Sequence, residues 1–290
     1  MRIMVLGASG MLGHQLVRQL CARHRVLGVL RRELGSYAAH GLFTPDNAAG
    51  GVDIRRPETL VPVMDSFGPE VVVNAAGLVK QRPDASDTLA CLEANAVFPH
   101  RLARLCQQAK ARLIHFSTDC VFSGGSGPIP DDAPHDARDV YGRTKSLGEV
   151  TGPGCLTLRT SMIGLEIENR RGLVEWFLAQ RGVVRGYTRA FFSGLTTLEL
   201  SRVVEMLLDA PGELHGAYNL SAAPISKHAL LARLGELAGH PAILVEDDSL
   251  AVDRSLDSSR FQRDFGYAPP SWEEMLLELA QQIRTHHHVL

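Results

Sequence analysis

Tyr141 and Lys145 stand four residues apart in the stretch Tyr141-Gly142-Arg143-Thr144-Lys145. On a helix that spacing puts both side chains on one face, close enough to touch. A free phenol has a pKa of about 10 and a free lysine amine about 10.4. A nearby ammonium favours phenolate, so Lys145 is expected to pull Tyr141 down toward the working pH of a general acid–base. Taken alone the pattern is weak, because a tyrosine and a lysine at this spacing often form a solvated amphipathic pair. Two other features add weight: a glycine-rich turn near the N-terminus, and Ser117-Thr118 just upstream, whose hydroxyls could donate to a carbonyl oxygen.

The glycine turn is Gly7-Ala8-Ser9-Gly10-Met11-Leu12-Gly13. It follows an apolar run, Ile3 to Leu6, and precedes a helical pattern with Leu12, Leu16 and Leu20 on one face. Strand, Gly-x-x-Gly-x-x-Gly and helix in that order suit a dinucleotide pyrophosphate. The glycines allow a tight turn and close backbone approach, and the helix start offers free N–H groups. Gly7, Ser9, Gly10, Met11, Leu12 and Gly13 are therefore candidate cofactor contacts. The plainer alternative is an ordinary strand–helix turn. A second strand, Arg25 to Leu30, ends in Arg31-Arg32. An acid there would hold the ribose 2′-hydroxyl of NAD, whereas a guanidinium fork matches a 2′-phosphate. NADPH is expected, with NADH as the alternative.

Tyr37 to Gly51 is rich in Ala, Gly and Pro and reads as a loop. Val52-Asp53-Ile54 reads as a short strand, with a helix starting at Pro57-Glu58. Asp53 has two readings of equal standing: an acceptor for the adenine amine, or a cap for the next helix. Val71-Val72-Val73 is a β-branched run typical of a strand buried on both faces of a parallel sheet. It ends in Asn74-Ala75-Ala76-Gly77, small residues against which a cofactor could lie. Asp87 to Lys110 reads as one long helix bent near Pro99, with Val97, Leu102, Leu105 and Cys106 on its apolar face and Asn95 structural. Arg112 to Phe116 is the next strand, with Thr118 at its C-terminal end, the edge where open α/β sheets bind ligands. Glu149, four residues beyond Lys145, reads as its helical salt-bridge partner. After the strand Leu156–Arg159 the α/β rhythm loosens. Helices are expected at 170–180, 196–209, 227–238 and 272–283, and strands at 218–220 and 242–245.

The chain has 290 residues, 45% of them hydrophobic and 21% charged, the balance of a soluble globular protein with one large core, or one large and one small. Its net charge of -2 and scattered arginines argue against nucleic-acid binding. No apolar run approaches the roughly 20 residues that cross a bilayer. The five cysteines, Cys21, Cys91, Cys106, Cys120 and Cys155, show no metal-ligand spacing and read as reduced thiols in a cytoplasmic protein.

Six motifs together resemble the extended short-chain dehydrogenase/reductases, and among them the dTDP-4-dehydrorhamnose reductase-like group. They are Gly7-x-x-Gly10-x-x-Gly13, Asp53-Ile54, Asn74-Ala75-Ala76-Gly77, Ser117 to Phe122, Tyr141-Gly142-Arg143-Thr144-Lys145 and Leu158-Arg159-Thr160-Ser161; Phe192 to Thr197 also looks like this group. The resemblance implies a Rossmann-like, doubly wound parallel sheet binding the dinucleotide over residues 1–164. It implies a smaller region over 165–290, interwoven with the first and mainly binding a sugar nucleotide. It implies Thr118, Tyr141 and Lys145 as catalytic residues, with Tyr141 and Lys145 also touching the cofactor. Hydride would pass from nicotinamide C4 to a 4-keto sugar. Arg170, Arg189 and Arg254 are candidates for the diphosphate. Some members are dimers, so a homodimer is an expectation.

Related activities differ at single positions. Sugar-nucleotide 4,6-dehydratases follow the threonine with Asp-Glu; here Asp119 is followed by Cys120. An epimerase–reductase such as GDP-fucose synthase uses a cysteine on this segment with a histidine after the next strand, and Ser161 to Gln180 holds no histidine. A third reading is a non-catalytic NADP(H)-binding regulatory subunit, as in methionine adenosyltransferase.

Overall fold

In a computed structural model the described residues are 1–80, 87–125, 127–168, 170–210, 212 and 214–287. The first 165 residues alternate strands and helices. They give β1 (Arg2–Leu6), α1 (Met11–Leu20), β2 (Arg25–Val29), β3 (Ala48–Ala49), α2 (Val61–Phe67), β4 (Val71–Asn74), α3 (Thr88–Cys91), α4 (Phe98–Ala109), β5 (Arg112–Ser117), α5 (Val140–Leu147), β6 (Cys155–Arg159) and β7 (Met162–Ile163). There follow α6 (Leu173–Leu178), β8 (Val183–Tyr187), β9 (Ala190–Phe192), β10 (Leu195–Thr196), α7 (Thr197–Leu208), β11 (Gly216–Asn219), β12 (Ile225–Ser226), α8 (Lys227–Ala238), β13 (Ile243–Asp247), β14 (Val252–Asp253), α9 (Ser259–Phe265) and α10 (Trp272–His287).

Seven strands form one parallel sheet in the order β11-β6-β5-β4-β1-β2-β3. The run Val71-Val72-Val73 is wholly buried, as a strand covered by helices on both faces must be. One face packs on α1 and α7 through Leu12, Leu16, Val17, Leu20, Val203 and Val204. The other packs on α2 and α4 through Met64, Phe67, Leu102 and Cys106. Strand order reverses between β1 and β4, so the glycine turn after β1 and Asn74-Ala75-Ala76-Gly77 after β4 open into the same crevice. The second half is not a separate layer. Its strand β11 completes the large sheet and α7 covers it, while β8/β13 and β9/β12/β14 form small sheets near α8 and α10.

Several elements differ from the sequence reading. The third strand is Ala48–Ala49, inside the stretch read as a loop, and Val52-Asp53-Ile54 is not a strand. Two small residues carry no alternation to read, and the backbone leaves the sheet after the Val52 N–H bonds to the Leu30 carbonyl at 3.1 Å. A 3₁₀ helix, Leu34–His40, built around the buried Tyr37, also runs into the start of that stretch. The long helix expected over 87–110 is interrupted by a π-helical turn, Leu92–Val97. Pro99 cannot donate to the carbonyl of Asn95 and its ring crowds that carbonyl, so the ladder slips. The slip changes the helical phase, which is why Val97 is 41% exposed. The helix expected over 170–180 shortens to Leu173–Leu178, because the Glu166 carboxylate takes the N–H groups of Arg171 and Gly172 into a turn instead.

Gly13 shows how tightly the first turn is wound: a Cβ there would lie 2.0 Å from the Gly7 carbonyl oxygen. At Gly10 the nearest atom is that same oxygen at 3.1 Å. Gly13→Ala is expected to lose about 1–3 kcal/mol of stability by overpacking, and Gly10→Ala to stay within about 1 kcal/mol of the parent. Urea unfolding of both variants checks this, and equal losses would contradict the packing described.

Candidate active site

The proposed catalytic residues come from two elements at the C-terminal edge of the sheet. β5 ends at Ser117, and Thr118 opens a short 3₁₀ turn, Asp119–Val121, by accepting the Cys120 N–H at 3.1 Å. α5 starts with Asp139, whose side chain accepts the Gly142 N–H at 2.9 Å. Tyr141 therefore sits in the first turn of α5 and Lys145 one turn later. The two elements press together at Gly142, where a Cβ would lie 2.2 Å from the Cys120 carbonyl oxygen. The Thr118 hydroxyl donates to Asp119 Oδ1 at 3.1 Å and lies near enough to Tyr141 to lower its phenol pKa. Lys145 is buried and its Nζ donates to the Phe116 carbonyl at 2.7 Å.

The electrostatics differ from the sequence expectation. Tyr141 is raised, not lowered, chiefly by burial and then by the neighbouring Cys120, with the Thr118 hydrogen bond opposing. Lys145 is not among the main influences on it. Burial instead pulls the Lys145 amine down to about 8, with Glu149 opposing. At neutral pH Tyr141 is thus a protonated phenol, the form that donates a proton. Ser117 does not face a ligand: its hydroxyl donates to Glu149 Oε1 at 2.7 Å. Glu149 is not on the face of α5, because Gly148 ends the helix. Its buried carboxylate takes the Arg159 guanidinium at 2.8–3.0 Å.

Across the crevice lie the two turns read as the cofactor site. Gly7 has φ +74°, and a Cβ there would lie 2.8 Å from the Ala76 Cα, so the two turns meet backbone to backbone. α1 begins at Gly10 without a side-chain cap, leaving the N–H groups near Met11, Leu12 and Gly13 for a ligand phosphate. Asn74 is fully buried. Its Oδ1 accepts the Ala76 N–H at 3.2 Å and its Nδ2 donates to His115 Nδ1 at 3.0 Å, so it shapes Ala75-Ala76-Gly77 from beneath. Asn95 is structural, as expected: its amide bonds both the N–H and the carbonyl of Leu78 just beyond that turn.

Arg31 and Arg32 follow β2 on the crevice side. The Arg32 guanidinium lies 4.8 Å from the Tyr37 ring centroid and pairs with Glu168. Asp53 does not cap the following helix. Its carboxylate takes Arg55 at 2.8 Å, and that hydrogen bonding holds it below the usual carboxylate range. Of Arg170, Arg189 and Arg254, Arg254 reaches the segment after Thr118, donating to the Phe122 and Ser123 carbonyls at 2.9 and 3.2 Å. Two side chains at the site had no legible signal. Lys80 stands 5.8 Å from the Tyr141 ring centroid and 2.8 Å from Asp139, and Glu168 meets Arg32 across the chain. Both pairings join segments far apart in sequence.

Residues 1–178 match the model of the RmlD substrate binding domain. The chain belongs to that family. It is 29% identical over 243 residues to a dTDP-4-dehydrorhamnose reductase of Burkholderia thailandensis, covering 82% of this chain and 68% of the relative. It is 28% identical to a probable low-salt glycan biosynthesis reductase, Agl14, of Haloferax volcanii, covering 95% and 96%. The fold is also that of a dTDP-4-dehydrorhamnose reductase from Bacillus anthracis solved in complex with NADP, with a TM-score of 0.75, 19% identity and coverage of 97% and 99%. Among the described residues no helix is long and apolar enough to cross a membrane, and no cluster of three or more metal-ligand side chains occurs.

The depressed amine has a consequence for stability. Lys145 loses its proton near pH 8 when folded and near 10.4 when unfolded, so between these values the unfolded chain binds the extra proton. Stability contributed at this site therefore rises with pH across that window. Urea unfolding from pH 7 to 10 is expected to show the wild type gaining stability relative to Lys145→Met. A constant difference would mean that Lys145 titrates normally.

Proposed function

We propose that this chain is an NADPH-dependent reductase of a nucleotide-linked 4-keto deoxy sugar. The observation that carries the reading is that Thr118, at the end of β5, and Tyr141 and Lys145, on α5, lie at one edge of the sheet beside the crevice of the glycine turn. Supporting it are the family and the relatives named as reductases of keto sugar nucleotides.

Gly7, Ser9, Gly10, Met11, Leu12 and Gly13 would hold the pyrophosphate, with Ala75, Ala76 and Gly77 against the cofactor and Asn74 behind them. Arg31 and Arg32 would take the 2′-phosphate, and Asp53 with Ile54 would flank the adenine. Bound there, the reduced dinucleotide supplies the hydride. The remaining work falls to the protein. Hydride addition turns the sugar carbonyl into an alkoxide, and the Tyr141 hydroxyl donates its proton to that oxygen. The Thr118 hydroxyl hydrogen-bonds the same oxygen as its charge develops. The phenolate left behind takes a proton back from solvent, while the Lys145 amine, bonded to the Phe116 carbonyl, holds α5 against the end of β5. The raised pKa of Tyr141 suits this direction, since the phenol stays loaded until an alkoxide appears.

The epimerase–reductase reading fares worse. Burial and Asp119 push the Cys120 thiol up to about 11, so it stays protonated near neutrality, and Ser161 to Gln180 supplies no histidine to act with it. The five cysteines are all free, which supports a reducing, cytoplasmic setting. A homodimer stays an expectation of the family resemblance.

Activity is tested by mixing the protein with NADPH and a panel of 4-keto sugar nucleotides while following absorbance of the reduced nicotinamide. Oxidation with one of them supports the reading. Tight NADPH binding with no oxidation across the panel would favour a regulatory role. Tyr141→Phe is expected to fold and bind NADPH yet lose about 10²–10⁴-fold in kcat, the usual range for a positioned acid. Full activity in that variant would remove Tyr141 from the mechanism.

A further inference from the structure

The second half of the chain sends one acid into the proposed 2′-phosphate site. Arg32 follows β2 and is stacked on Tyr37, a buried ring that fixes the guanidinium in place. Its charged partner is Glu168, which lies 136 residues away in sequence. Arg31 beside it makes no ion pair among the described residues, and its charge is felt by Asp53. Of the two arginines expected to bind a phosphate, one is therefore already held by a carboxylate.

The approach of Glu168 is built rather than incidental. Glu166 Oε2 accepts the N–H groups of Arg171 and Gly172 at 2.6 and 2.9 Å. The Glu166 N–H is itself held by Glu175 of α6 at 3.0 Å. The turn is seated on the glycine-turn side chain Met11, whose Cε would lie 2.4 Å from a Cβ at Gly172. Glu168 lies between these anchored residues, and its own backbone carbonyl accepts the Arg170 N–H at 2.8 Å. Glu168 itself is mostly covered, with 22% of its side chain exposed, against 49% for Arg32.

We propose that Glu168 is a specificity-determining residue of the cofactor site, an internal competitor that occupies the fork of Arg32 where a 2′-phosphate would sit. A carboxylate and a phosphate are both acceptors for a guanidinium fork, and both are negative. The phosphorylated dinucleotide must displace Glu168 or sit against its charge, and either weakens binding. A dinucleotide with a free 2′-hydroxyl meets no such repulsion. The site thus favours the phosphate less than its two arginines alone would. This rests on the reading of Arg32 as a 2′-phosphate ligand, deepens it, and predicts a narrowed choice between the two dinucleotides.

Calorimetric titration of the whole protein with NADP⁺ and with NAD⁺ tests this without any turnover. Glu168→Gln removes the charge and keeps the size. It is expected to tighten NADP⁺ by about three- to tenfold, as loss of a like charge at a partly exposed site would, and to change NAD⁺ by less than about twofold. Arg32→Ala is expected to weaken NADP⁺ selectively, and in the double variant the Glu168→Gln effect should vanish. If Arg32→Ala shifts the NADP⁺:NAD⁺ ratio but Glu168→Gln leaves it unchanged or moves it toward NAD⁺, the competitor role is wrong and the phosphate reading stands. If Arg32→Ala leaves the ratio unmoved, the phosphate reading fails and the role of Glu168 falls with it. Matching melting temperatures of Glu168→Gln and the parent exclude misfolding as the cause.

Discussion

A single buried hydrogen bond, from the Lys145 amine to the Phe116 carbonyl at 2.7 Å, ties α5 to the end of β5. An amine in such a place cannot keep its full solvation, and its pKa falls to about 8 as a result. Holding it there requires α5 to lie almost on the backbone of its neighbours. That is why glycine occupies 142 and 148: a Cβ at either would sit about 2 Å from a carbonyl oxygen, of Cys120 and Asn95 respectively. The glycine inside the Tyr-Gly-x-x-Lys stretch thus has a packing reason. Once α5 is drawn in, Tyr141, the proposed proton donor, lies at the sheet edge with Thr118.

The neighbouring polar groups follow from the same constraint. Glu149 opposes the loss of charge on Lys145, yet its carboxylate is held by Arg159 and Ser117 and so cannot collapse onto the amine. His115, in the strand beneath, is kept neutral by burial and by the Lys145 charge, and its Nδ1 accepts from Asn74. Asn74 in turn holds the Ala76 N–H. A chain of buried contacts therefore runs from under the proposed catalytic residues to the turn that would back the cofactor. The π-helical turn belongs to it as well, since it aims Asn95 at Leu78.

The sequence was most legible where pattern and chemistry coincide. The Val71–Val73 run, the leucine spacing of α1 and the bounds of α8, Lys227–Ala238, all had clear periodicity, and the structure has those elements. The sheet edge holding Thr118 and the helix holding Tyr141 and Lys145 were legible for the same reason. What was not legible depends on contacts between distant segments. The strand Ala48–Ala49 exists because β2 offers it an edge, not because of its own residues. The pairing of Glu149 turned on where Gly148 stops a helix. The direction of the Tyr141 shift was misjudged because a pair spacing says nothing about burial, the largest influence on the phenol, or about where the amine points, which is to the Phe116 carbonyl.

The central claim is that a sugar ketone receives hydride from the cofactor while Tyr141 protonates its oxygen. The most direct measurement uses NADPH carrying deuterium on the transferred position of nicotinamide C4, with the sugar nucleotide product read by mass spectrometry and NMR. The account predicts one deuterium, bound to the sugar carbon that was the ketone, and none at neighbouring carbons. A reduced product without that deuterium, or with the label on another carbon, would contradict it.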